Sequence, residues 1–232
     1  DLPRDVAVDR FGNVFAVDTF NDRVVKLPAG GGAQVVVASG LDFPSGIAVD
    51  VDGNAYVADT NNDRIVRIPA AGGAPTVVPF TGLIGSFGVG VDRVGNLYVT
   101  EQNQVVKRSA GTGVQATLPF TDLVGPNDVA VDAAGNVFVS GNGVYELPAG
   151  GGAQVEIEAG PLRNAYGLAI DLDGSLVLGS GDAVGLLPVS GGGWARLAFT
   201  GLDGATGVAV DATGTVYVAD TNNNRIVKLV RT

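Results

Sequence analysis

The chain of 232 residues contains no cysteine and no histidine. The first absence excludes disulfides, thiolate nucleophiles and cysteine-ligated zinc. The second removes histidine general bases, histidine metal ligands and every Ser-His-Asp or Cys-His arrangement. Methionine is missing too, so Asp1 is read as something other than a translation start and the chain as a piece of a longer polypeptide. Charge is sparse at 16%, and acids outnumber bases 24 to 14, a net charge of −10. A phosphate backbone would be repelled over most of such a surface, which excludes nucleic acid as a partner. No apolar run approaches the roughly 18 residues that span a bilayer, and no basic stretch with an apolar core opens the chain. A membrane would be met only through a tether upstream of Asp1.

What the chain does have is glycine (36), proline (11) and a hydrophobic content of 46%. That is too punctuated for a helical bundle and too apolar for disorder, and the valine-rich runs favour strands. The string Val-Ala-Val-Asp and its variants recur, ending at Asp9, Asp50, Asp92, Asp132, Asp171 and Asp211, with spacings of 41, 42, 40, 39 and 40 residues. Each Asp is followed three residues later by glycine: Gly12, Gly53, Gly95, Gly135, Gly174 and Gly214. A second apolar run follows, then a polar loop, a third run and a Gly-rich turn. Fourth runs stand at 34–38, 76–80, 116–120, 154–158 and 195–199.

Four short strands in a period of about 40 residues mark a β-propeller blade. The sequence therefore predicts an all-β, six-bladed β-propeller of four-stranded antiparallel blades, filling residues 1–232 as a single domain. Only five fourth runs are present, so the last blade is predicted to be three-stranded, with the strand around Val227 left as an open edge. The leading run has Ala or Gly at its centre in every copy, as an innermost strand crowded against the axis requires. In the Asp-x-x-Gly step the carboxylate caps its own turn and the glycine takes positive φ. Aromatic Phe15, Tyr56, Tyr98, Phe138 and Tyr217 share one repeat position and are expected between blades. The Gly-rich turns at 29–32, 149–152 and 191–193 lead into strands rather than helices, so they are hairpin loops and not phosphate cradles.

The copies also inform on one another. Asp18, Asp59 and Asp220 are each followed five residues later by Arg23, Arg64 and Arg225. Where Glu101, Gly141 and Ser180 replace the Asp, the Arg is missing as well. An ion pair bracing the turn between strands two and three explains the joint loss. Just before the innermost strand one position differs in every copy: Arg4, Ser45, Phe87, Asn127, Tyr166 and Thr206. The next is glycine except at Asp5 and Asp128, in opposite blades. A varied ring at one channel mouth, on an otherwise repeated scaffold, is where binding would reside. With Phe20 and Phe43 as aromatic anchors on the same face, the candidate binding residues are Arg4, Asp5, Phe20, Phe43, Ser45, Phe87, Asn127, Asp128, Tyr166 and Thr206. No catalytic residue, metal ligand or cofactor is assigned.

Residues 44–68 and 207–229 carry the repeat nearly whole, as P-x-G-(I/V)-A-V-D-x-x-G-N-x-Y-V-A-D-T-x-N-x-R-(I/V)-V-K-L. It resembles the NHL-repeat propellers. The links at 77–83 and 117–123, with their Pro-Phe-Thr core, resemble more narrowly the extracellular sensor domain of actinobacterial membrane-anchored Ser/Thr protein kinases. That resemblance implies a non-catalytic ligand- or protein-binding module on the extracellular face of the cell envelope, anchored through an upstream span, with a kinase domain upstream. Two alternatives stand beside it. One is a secreted or lipid-anchored enzyme of the calcium-dependent lactonase type, to which Asp5, Asn127, Asp128, Glu101 and Asn103 would offer oxygens. The other is a stand-alone adhesion or scaffold propeller. Propeller lyases that depend on histidine do not fit a chain that has none.

Overall fold

The computed structural model of the protein describes residues 1–189 and 192–231. Its strands form six antiparallel sheets of four, four, four, four, four and three strands, each hydrogen-bonded in chain order. These are the blades of a closed ring. The innermost strands run over Pro3–Val8, Pro44–Val49, Ser86–Val91, Asp128–Val131, Gly167–Ile170 and Ala205–Val210. They touch in succession, and blade one contacts both blade two and blade six. Blade six has three strands, and its third, Arg225–Leu229, is an open edge.

Each Asp-x-x-Gly step closes as the repeat predicts. The six glycines hold φ between 82° and 90°, a region that costs side chains with a Cβ. In blade two, Asp50 Oδ1 accepts the N–H groups of Asp52 and Asn54, while Oδ2 accepts the Asn54 side-chain amide. The Asn54 carbonyl oxygen then takes the Ala70 N–H from the turn after strand three. The Asp and Asn of the repeat thus lock two hairpins to each other at the base of the blade. Blade five departs: Asp171 turns outward to a bidentate pair with Arg231. Of the Gly-rich turn at 191–193, Gly191 lies outside the described residues.

The five aromatic rings of the repeat column are buried. Val177 is equally buried in blade five, whose core is filled instead by Leu162, Leu176, Leu178 and Leu187. Outer strands are shorter than the sequence runs. Those of blades two and three stop at Thr76–Val78 and Gln115–Thr117. Pro79 and Pro119 have no N–H to extend a ladder. The chain bends there, and the Phe80 and Phe120 N–H groups return to the carbonyls of Val78 and Leu118. This bend sends Phe80 and Phe120 back into the groove between blades.

The three Asp–Arg pairs form as expected. Arg23, Arg64 and Arg225 each place Nε 2.6 Å from Oδ2 of Asp18, Asp59 and Asp220. A 3-10 turn and a left-handed residue (Asp22, Asp63, Asn224) lie between the partners in blades one, two and six. The Asp does more than pair. Asp59 is fully buried and also accepts the Asp42 N–H at 2.7 Å and the Asn62 amide. Arg64 is 37% exposed. Asp59→Ala is therefore expected to cost about 3 kcal/mol, because it strands a buried amide and a guanidinium. Arg64→Ala should cost ~1 kcal/mol or less. Urea unfolding of both variants checks the asymmetry, and equal losses would show that the pair itself carries the energy.

Candidate functional site

The six varied residues meet at one end of the channel, around a small depression of about 70 Å³. They alternate in size around the ring. Arg4, Phe87 and Tyr166, from blades one, three and five, form the rim. Phe87 and Tyr166 are exposed and Arg4 is half-buried. Ser45, Asn127 and Thr206, from blades two, four and six, turn into the wall.

The small residues hold the wall together. Ser45 Oγ donates to the Phe87 carbonyl at 2.7 Å, and Thr206 Oγ1 donates to the Arg4 carbonyl at 2.7 Å. Each hydroxyl is also paired at 2.6 Å with a threonine on its own blade, Thr60 and Thr221. The Asn127 amide donates to the Ala165 carbonyl. Thr100 performs the same duty toward Asn127 from the neighbouring strand of blade three. Three residues of the varied ring are therefore staples between consecutive blades, with their donors already committed.

The floor is Asp5 and Asp128. Both line the depression and also the channel of about 260 Å³ below it, so they form the constriction between the two. Both are buried. Asp5 accepts the N–H of Val6 and, with its other oxygen, that of Ile47 in blade two. Asp128 accepts the N–H of Val129 and of Leu168 in blade five. Each carboxylate ties its blade to the next. Glycine occupies the equivalent place in the other blades because there is no room for a side chain: a Cβ on Gly88 would lie 2.7 Å from the Asp128 Cα. Burial, and then the charge of Asp128, push the Asp5 carboxyl well above its ordinary range. Burial pushes Asp128 up to about 7, against the pull of its two backbone hydrogen bonds.

Phe20 and Phe43 lie beside this mouth. Phe20 is 57% exposed and meets Phe43 edge to face, with ring centres 5.9 Å apart. Phe43 is half-buried and lies under the Arg4 guanidinium, 4.6 Å from ring centre to Cζ. Glu101 and Asn103 do not reach the channel mouth. Glu101 accepts the Ile84 N–H and the Gln104 amide, taking over in blade three the part that Asp59 plays in blade two. Asn103 accepts the Gly125 N–H. Sequence comparison had treated Glu101 as a loss of the Asp; the structure makes it a longer substitute with glutamine in place of arginine.

The pattern of an established repeat family matches residues 41–68 and 202–229. These are NHL repeats. No curated protein matches the chain by sequence. Among solved structures, the virginiamycin B lyase of Staphylococcus aureus is 14% identical, covers 99% of this chain and 84% of its own, and superposes with a TM-score of 0.70. A gluconolactonase of Xanthomonas campestris is 19% identical, with coverage of 94% and 82% and a TM-score of 0.79. A nidogen/laminin complex contributes a chain 19% identical, with coverage of 94% and 88% and a TM-score of 0.83. At these identities the likeness carries the fold.

A ring of this fold thus occurs in a lyase, in a gluconolactonase and in a protein–protein complex. This overturns the expectation that the domain does no chemistry. Repetitive scaffold and missing histidine had argued for a passive module, but the same architecture, covered almost end to end, houses enzymes. A histidine-to-alanine variant of the lyase is catalytically inactive, and this chain has no histidine to supply that group. A resemblance to kinase sensor domains does not emerge from these matches.

The calcium-site residues do not fit a hard cation. Calcium takes six to eight oxygens. Here Asp5 and Asp128 have no third acid beside them, and Glu101 and Asn103 are engaged elsewhere. Among the described residues no three Asp, Glu, His or Cys side chains converge. Buried carboxyl groups whose protonated form is favoured by burial are suited to moving protons.

Proposed function

We propose that the channel mouth is the active site of a metal-independent hydrolase acting on small, oxygen-rich rings of the lactone class. The observation that carries this reading is the pair of buried carboxyl groups, Asp5 and Asp128, at the floor of the ring of varied residues. Two neighbouring carboxyl groups, one protonated and one ionised, can act as acid and base in one step. The ionised member takes a proton from water as the water oxygen attacks the carbonyl carbon. The protonated member gives its proton to the ring oxygen as the acyl C–O bond breaks. The product is a hydroxy acid, and the proton balance of the pair is restored by exchange with solvent. The backbone N–H groups that hold both carboxylates fix their orientation. The likeness in fold to a gluconolactonase supports the substrate class, and the 70 Å³ depression suits a small ring over a macromolecule.

The test is a panel of sugar and aliphatic lactones, followed by pH-stat in the presence of EDTA. Hydrolysis should survive chelation. It should fall at least ~100-fold in kcat in Asp5→Asn and in Asp128→Asn, with thermal melting showing both variants folded. Absence of turnover on every lactone, or activity indifferent to both substitutions, overturns the reading. A second reading, a sensor domain outside a membrane-anchored kinase, draws on the NHL repeats and their Pro-Phe-Thr links. It uses the same mouth for binding without turnover, and saturable lactone binding with no hydrolysis would favour it.

A further inference from the structure

Arg4 breaks the rule of its own repeat position, and the break leaves a mark. In blades two and six the position holds Ser45 and Thr206, each paired at 2.6 Å with the threonine that opens the 3-10 turn, Thr60 and Thr221. In blade one that threonine is Thr19. It is fully buried, and with Arg4 in place of a hydroxyl its Oγ1 has no hydrogen-bond partner. An orphaned buried hydroxyl costs stability.

The support beneath Arg4 is strained as well. Phe43 holds φ at 50°; at the equivalent place Leu2 holds 45° in blade one, and Gly85 and Gly204 hold 59° and 73° in blades three and six. The left-handed region is rare for an aromatic residue, and such outliers gather where a site needs them. Phe43 is kept there by the Asp22 carboxylate, which accepts its N–H, and by the edge of Phe20. Its ring then covers one face of the guanidinium.

The guanidinium itself is uncommitted. Among the described residues no carboxylate lies within salt-bridge distance of Arg4; the same holds for Arg10, Arg67, Arg93, Arg108 and Arg163, but of these six Arg4 is the one that lines the mouth. It is nevertheless desolvated, which pushes it below the usual arginine range. Buried charges are ordinarily paired. The planar fork offers parallel donors that match a carboxylate. Arg4 is the one cation on the rim, above two acids that carry less than their full charge.

From these observations we infer that Arg4, braced by Phe43, is the specificity residue of the mouth and binds the carboxylate of an anionic ligand, a sugar acid or a sugar lactone that bears a separate carboxylate. The inference deepens the lactonase reading, and its test separates the two. The probes are glucuronate and its neutral methyl glycoside ester, measured by calorimetry without turnover, and a carboxylated against an uncarboxylated sugar lactone, measured by hydrolysis. The wild-type protein should bind glucuronate at least tenfold more tightly than the neutral ester. Arg4→Thr should abolish that preference, and by giving Thr19 a hydroxyl partner it should raise the melting temperature. Phe43→Gly should weaken glucuronate binding without loss of stability. Glucuronate preference without any lactone hydrolysis would sink the lactonase reading and leave this one standing. Equal affinity for glucuronate and its ester, or a preference that survives Arg4→Thr, overturns the role of Arg4 even if lactones are hydrolysed.

Discussion

Gly167→Ala is expected to destabilise the ring by about 3 kcal/mol or more, one of the largest effects of any single methyl group in the molecule. Gly167 has no unusual dihedral; what it lacks is space. A Cβ built there would lie 2.2 Å from the Thr206 carbonyl oxygen and 2.8 Å from the Gly207 Cα, both in the next blade. Neither is the tip of a flexible side chain that could swing aside. The inner strands of blades five and six would have to part, and every other blade in a closed ring would have to accommodate the shift. The melting temperature should fall by roughly 6–12 °C. Gly30→Ala is the control, because nothing lies within 4 Å of a Cβ there, and it should leave melting within a degree or two. A Gly167→Ala protein that melts with the wild type would mean that the blades are not in close backbone contact at the mouth.

The second large effect is on the pH dependence of stability. Burial carries the Asp128 carboxyl from an ordinary 3.8 up to about 7, and burial together with the charge of Asp128 raises Asp5 well above its ordinary value. The folded state therefore holds protons that the unfolded chain releases from pH 4 upward, and stability must fall as the pH rises through this window. For Asp128 alone the full change is ~4 kcal/mol. Other acids act in the opposite sense at lower pH. The bidentate Arg231 holds Asp171 below its ordinary value. Asp220 is pushed up by burial, but the Asp203 N–H, Arg225 and Asn223 outweigh this and keep it low. Their contribution is present above pH 4 and lost below it. Stability should therefore peak near pH 4–5 and decline toward neutrality. In Asp128→Asn the decline should flatten. That variant should be less stable than the wild type at pH 5, where one N–H loses its acceptor, and close the gap by pH 7.5, where a buried charge is absent. A wild-type curve still rising between pH 5 and 7 would show that the two acids are ionised in the fold.

Much of the architecture was legible because a repeat states each rule several times. Six copies of Asp-x-x-Gly gave the hairpins and their positive φ, and five aromatic residues at one position gave the core between blades. The joint loss of Asp and Arg correctly marked an ion pair. The varied ring before the inner strand did converge on one mouth. What stayed hidden depends on contacts between copies. Nothing in the residue types at 45 and 206 tells that their hydroxyls are spent on the next blade, because the acceptors are backbone carbonyls that every sequence has. Asp5 and Asp128 stood out in the sequence as acids of the channel mouth, but not as buried ones. Their burial and mutual influence follow from closure of the ring, which brings together residues from opposite blades. The outer strands of blades two and three ended early at the bend around Pro79 and Pro119; blade five bends in the same way at Ala198, so the bend belongs to the repeat and the prolines suit it rather than cause it. The expectation of a passive module failed for a different reason: it weighed the missing histidine, whereas rings of the same fold include enzymes.

The open edge of blade six gives the molecule a direction in which it can grow. Every other third strand is covered by an outer neighbour, but Arg225–Leu229 faces a groove of about 660 Å³ between blades six and one, with Val14, Val25, Leu27 and Ile226 in its walls. Unpaired strand edges of this kind recruit other strands. A fourth strand laid along it, from any polypeptide, would complete the blade as the five others are completed. Arg225 and Lys228 are exposed along this edge, so a strand carrying acids opposite them would fit best, and two bare edges brought side by side would meet like charge with like.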